Sequence, residues 1–210
     1  MRLALLLIIG LVVGPVAGAR GETLTSGNYA FSDELGGLRL VSVTGTGSAD
    51  DPIILVEEFF ETGPAVLTIR RLDEQSSPAG PPISPSKLLY IEKLVINSSR
   101  RVWLGFELEL EEIRGKASTF RDGLSFDQIA KQQDRVHADR FRHGERTFEP
   151  GDRLLFHGGA VNHGETLRLS VLVTDTSPTD PFYLVQTPQL PTAGLSGFSR
   201  RFAFAGHPAR

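Results

Sequence analysis

Residues 101–113, RVWLGFELELEEI, constrain the fold more than any other stretch. Val102, Leu104, Phe106, Leu108 and Leu110 recur at every second position, and Glu107, Glu109 and Glu111 alternate with the last of them. A strand turns successive side chains to opposite faces, whereas a helix would scatter these apolar residues around its circumference. The pattern predicts a strand with one face on an apolar core. Its other face carries a carboxylate ladder, wet and balanced by cross-strand arginine or lysine. Trp103 falls on the polar side of the alternation. It is a binding candidate if exposed as a carbohydrate platform, although burial under a covered second face is the favoured reading.

Shorter apolar or alternating runs occupy residues 28–33, 37–43, 52–60, 64–71, 88–96, 152–158, 165–175, 182–187 and 200–206. Turn-forming residues separate them, and no strand–helix unit repeats. The expected architecture is therefore all-β, an antiparallel β-sandwich of about nine short strands, with a small β-barrel as the alternative. Residues 52–60 and 64–71 read as paired strands, and 88–96 with 101–113 as the clearest hairpin. Asn97-Ser98-Ser99 in its turn matches a glycosylation acceptor. Residues 125–133, SFDQIAKQQ, are the one short helix candidate, with Ser125 as cap and Gln128 completing a capping box. Residues 20–27 read as a polar lead, and 134–151 as a polar, arginine-rich connection. In residues 45–52, GTGSADDP, glycine and aspartate chemistry predicts a turn. The proline-punctuated 73–87 reads as a surface loop within one domain.

Met1 and Arg2 precede the apolar run LALLLIIGLVVGPV, which ends at Ala17-Gly18-Ala19, a small-x-small site. The run is short for a spanning helix and is interrupted by Gly10, Gly14 and Pro15. This predicts a signal peptide over 1–19, a single domain over 20–210 and no integral membrane segment in the mature chain. The expected location is secreted or periplasmic, with surface association as a variant.

The chain has no cysteine, which excludes disulfides, thiol catalysis and thiolate metal sites. Its 22 Lys and Arg against 25 Asp and Glu give a net charge of −3, which disfavours nucleic acid as a partner. The 22 glycines and 13 prolines follow no G-x-Y period, which suits many turns between short strands.

Three constellations carry candidate chemistry. His137, Asp139, His143, His157 and His163 cluster in sequence, and imidazoles with a carboxylate form a plausible shell for one transition-metal ion. Their spacing matches no specific metal motif. Asp50 with Asp51, and Asp175 with Asp180, offer oxygen-rich turns for a structural calcium without the ordered spacing of a calcium loop. Arg140, Phe141 and Arg142 could contact an anion or acidic glycan through guanidinium and ring. No cofactor is called for outright. There is no nucleophile elbow and no phosphate loop.

These observations lead to an exported noncatalytic β-sandwich module for surface, adhesion or matrix-type binding to an unidentified protein or glycan. The alternative is a metal-dependent extracytoplasmic enzyme using the histidine-rich 137–163 region, and a ligand-binding barrel is a third reading.

Overall fold

A computed structural model describes residues 21–72, 88–119, 121–126, 136–176 and 180–191. The expected leader, the expected 73–87 loop, residues 127–135 and the expected strand at 200–206 lie outside the described residues. In chain order the strands are β1 (Thr23–Ser26), β2 (Tyr29–Ser32), β3 (Arg39–Thr44), β4 (Ile53–Phe59), β5 (Ala65–Arg71), β6 (Leu88–Asn97) and β7 (Trp103–Ile113). They continue as β8 (Lys116–Ala117), β9 (Leu124–Phe126), β10 (His137–Ala138), β11 (His143–Thr147), β12 (Arg153–Val161), β13 (Thr166–Asp175) and β14 (Phe182–Gln189).

The strands form two sheets packed as a sandwich. One is eight-stranded, in the order β1-β2-β5-β14-β7-β12-β11 with β8 beside β7. The other is six-stranded, in the order β10-β13-β6-β4-β3 with β9 beside β13. Both contribute to one apolar cluster that includes Phe31, Leu67, Leu108 and Leu184 from the first sheet and Leu40, Leu55, Ile91 and Leu169 from the second.

The pairing differs from expectation in an instructive way. The strands read as paired, β4 and β5, lie in different sheets, and so do the two arms of the expected hairpin, β6 and β7. Each short connection crosses the sandwich from one layer to the other. A half-buried strand shows the same period-two pattern whether its chain neighbour lies beside it or across the core. β4 instead pairs with β6 in parallel, Ile53 opposite Ile91 and Phe59 opposite Asn97, while the other paired strands run antiparallel.

Three further corrections concern short elements. The polar lead contains β1, which is held by its ladder to β2. Ser125 and Phe126 belong to β9 and are fully buried, so the helix does not begin there. The polar 134–151 segment supplies β10 to one sheet and β11 to the other.

The alternation in β7 also breaks. Val102 and Leu104 are exposed, whereas Trp103 and Phe106 are both fully buried, so the inward phase changes across Gly105. The partner strand explains the break: His157 faces Gly105 and Val161 faces Trp103, leaving residues 158–160 of β12 opposite Leu104 alone. This bulge contains Gly158, at φ 81°, and Gly159, whose missing side chain would collide with the Arg140 carbonyl. Gly159 thus admits the backbone that carries the chain from β10 to β11, and Gly158 leaves room for the His143 ring. Trp103, freed to point inward, packs with Phe59 and Phe106, all three ring centroids 5.7 Å apart. The carboxylate ladder follows its pattern only in part: Glu109 pairs across strands with Arg153, whereas Glu111 is buried and held by Arg114 and the Gly115 N–H in the turn that follows its own strand.

In the centre of the sandwich Lys93 on β6 donates to Glu57 on β4 at 2.6 Å, with both side chains fully buried. Desolvation pushes the Lys93 ammonium below its ordinary pKa, and the neighbouring carboxylate opposes that shift. Losing one member of such a pair strands the other, while replacing both with apolar groups removes the desolvation cost altogether. Lys93→Met is therefore expected to destabilise the fold by about 3–5 kcal/mol, and the double variant Lys93→Met/Glu57→Leu to restore wild-type stability or exceed it. Urea unfolding of the three proteins checks this. Equal losses in the single and double variants would refute it. Gly159→Ala is expected to cost about 2–3 kcal/mol in the same measurement, because the new methyl group meets backbone that cannot swing aside.

Candidate functional site

Because β4 and β6 are parallel and in register at Phe59 and Asn97, their chains leave the six-stranded sheet at the same end. Each then crosses to the eight-stranded sheet, one through residues 60–64 to β5 and the other through 98–102 to β7. The two crossings stand side by side. Between them opens a cleft of about 490 Å³, lined by residues 60–63 and 98–101.

A buried hydrogen-bond network fixes its floor. Asn97 donates from Nδ2 to the carbonyls of Arg101 and Val161, both at 2.9 Å. Its Oδ1 accepts from Ser99 N–H at 3.0 Å and from Ser99 Oγ at 2.6 Å. The indole N–H of Trp103 donates to the same Ser99 Oγ at 3.1 Å, and His163 Nδ1 donates to the Ser99 carbonyl at 2.8 Å. The match to a glycosylation acceptor is thus overturned in the folded protein, where Asn97 is fully buried with its amide engaged on both sides.

The wall is braced separately. Ser98 Oγ donates to Glu58 Oε1 at 2.5 Å, and Arg39 pairs with Glu58 while its guanidinium lies 5.3 Å from the centre of the Phe60 ring. The Ser98 hydrogen bond, assisted by Arg39, holds the Glu58 carboxyl below its ordinary range. Phe60 remains 51% exposed. Arg100 and Arg101 are also exposed, and neither guanidinium makes an ion pair or hydrogen bond with a described side chain. That separates them from Arg39, Arg70, Arg146 and Arg153, each paired to a carboxylate.

The histidine candidates are divided between sheets. His143 and His157 face each other across β11 and β12 with ring centroids 5.2 Å apart, and His157 Nε2 donates to Glu145 at 2.8 Å. His137 stands on β10 in the other sheet, opposite Ser170. Asp139 accepts from the Arg168 N–H at 2.9 Å, and His163 serves the cleft floor. Among the described residues no group of three or more His, Cys, Asp or Glu could hold a metal ion.

The aspartate candidates have other roles. In the 45–52 turn it is the Asp51 backbone carbonyl that accepts from the N–H groups of Thr46, Gly47 and Ser48. Asp50 is exposed beside it. Asp175 and Asp180 do converge, but on Arg71: its NH1 lies 3.6 Å from Asp175, and its backbone N–H donates to Asp180 at 2.8 Å. Arg71 thus meets Asp175 through its guanidinium and Asp180 through its backbone. Burial, reinforced by the Asp175 charge, pushes the nearby Tyr29 hydroxyl up to about 12.

The aromatic binding candidates prove to be core residues. Trp103 is fully buried and Phe141 nearly so, and neither offers a ring face to a ligand. Arg140 is engaged with Glu165 and the Thr166 carbonyl, while Arg142 is exposed at the entry to β11. The groups that line the cleft escaped sequence reasoning. Arg100-Arg101 after a turn was a visible signal, but its meaning depends on which other loop stands next to it.

Comparisons with protein-family models, with curated proteins and with solved structures return no match. No helix among the described residues is long and apolar enough to cross a membrane.

Asn97→Ala removes one acceptor and two donors from a buried network, and an expected loss of about 3 kcal/mol follows from the carbonyls and N–H it leaves unsatisfied. Ser98→Ala, at a half-buried surface pair, is expected to cost under about 1 kcal/mol. Paired denaturation curves check the ranking; equal effects would show that the floor is not held by Asn97.

Proposed function

We propose that this chain is an exported, noncatalytic β-sandwich module that binds an extracellular partner through the cleft between its two sheet-crossing loops. The cleft carries the reading: a concavity of ligand size, braced from beneath, at the loop end of a rigid sandwich. Its two serine hydroxyls donate to Glu58 and Asn97 and so belong to the scaffold. The rim then presents an exposed ring, two guanidiniums and the Glu61 carboxylate, groups suited to recognition. The leader-like residues 1–19 support delivery outside the cytoplasm.

The test has two parts. In the source cell the exported form is expected to begin at Arg20, and an intact leader on a chain retained in the cytoplasm would refute export. The 20–210 protein is expected to bind members of an oligosaccharide and peptide panel saturably and to release them chemically unchanged. Phe60→Ala should weaken that binding at least tenfold with no change in melting temperature. Cleavage of a bound ligand, or binding indifferent to Phe60→Ala, would overturn the reading.

A further inference from the structure

The chemistry at the rim specifies a ligand class, on the reading that the cleft is the binding face. We propose that it takes a carboxylate-bearing acidic oligosaccharide, with Arg100 and Arg101 holding the anionic group and Phe60 supporting a sugar face.

Three observations converge. The first is charge without an internal partner. Arg100 and Arg101 are adjacent, exposed and line one concavity, and no described side chain neutralises either guanidinium. Guanidinium presents a planar fork of donors that matches a carboxylate in two parallel hydrogen bonds. The net charge of −3 opposes long-range collection of anions, so the attraction is local to the site.

The second is the ring. Phe60 is 51% exposed at the cleft, with the Arg39 guanidinium over one face of its ring. An exposed aromatic face complements the apolar C–H face of a pyranose while leaving the hydroxyls hydrated. Glu61 on the same wall can accept from those hydroxyls, and Gly63 leaves open space beside it. The third observation is size. A cleft of about 490 Å³ falls within the range for small ligands. A few sugar residues fit those dimensions, and the braced floor means that little further ordering accompanies their binding.

Calorimetry on the 20–210 protein tests the assignment with four probes: a uronic-acid tetrasaccharide, its carboxyl-reduced neutral counterpart, a sulfated tetrasaccharide and a tetraglutamate peptide. The uronic-acid ligand is expected to bind, and its carboxyl-reduced form to bind at least tenfold more weakly. Arg100→Ala and Arg101→Ala should each weaken binding about tenfold or more at unchanged melting temperature. The Arg100→Lys/Arg101→Lys variant should recover only part, because ammonium lacks the fork. Equal affinity for the carboxyl-reduced sugar, or tighter binding of the sulfated one, would overturn the carboxylate assignment and leave the cleft as a binding face. Tetraglutamate bound as tightly as the sugar would overturn the saccharide assignment. Saccharide binding unaffected by Phe60→Ala and both arginine variants would remove the cleft itself.

Discussion

The parallel pairing of β4 with β6 is the constraint on which the rest of the molecule depends. Parallel neighbours cannot be joined by a tight turn, so the chain must leave the sheet and return. Here it leaves through β5 in the opposite layer, and after β6 it leaves again through β7 at the same end. Two crossings are thereby set side by side, and the cleft is the gap between them. The buried Lys93–Glu57 contact joins these same two strands. Its desolvation cost argues against a large gain in stability. Its positional effect is clearer, since sliding β4 along β6 would separate a buried ammonium from its carboxylate and move Phe59 away from Asn97.

Much of the fold was legible because burial on one face leaves a period-two trace. The strands read over 52–60, 64–71, 88–96, 101–113 and 165–175 all exist, close to those bounds. That trace records which way a side chain points and carries no information about which strand lies alongside. Hence β4 with β5, and β6 with β7, read as hairpins although they span the layers. The missed strands fail for a different reason. β11 is exposed along almost all its length and β1 is mostly polar, so backbone hydrogen bonds to one neighbour hold them and leave little apolar pattern. The phase change at Gly105 was similarly hidden, because the residues that cause it sit in β12, some fifty positions away.

The polar constellations were legible as residues but not as roles. Aspartates that suggested calcium surround Arg71 or terminate a turn through a carbonyl, and the Gly-Gly among the histidines makes room for a crossing backbone. In a cysteine-free sandwich the loops need internal ties, and carboxylates, amides and imidazoles provide them. Arg146 shows the pattern well: it contacts Asp152 through two nitrogens and reaches Ser125, which ties β11 to β9 across the two sheets. A residue type that could serve a ligand is, at most of these positions, already serving the scaffold.

That division sharpens what the cleft is. Its floor and its rim follow opposite rules within a few residues of one another. Asn97, Ser99 and Trp103 are buried and mutually hydrogen-bonded, so changes there act on folding. Phe60, Arg100 and Arg101 are exposed at the rim, and neither arginine side chain has an internal partner among the described residues, so changes there leave the buried network intact. A rim group spends less of a ligand's binding energy on ordering when the backbone beneath it is already fixed. The Asn97 amide provides that fixing directly, because it holds the carbonyl of Arg101 itself. The same hydrogen bond that closes the end of the sandwich therefore fixes the backbone from which the Arg101 side chain projects.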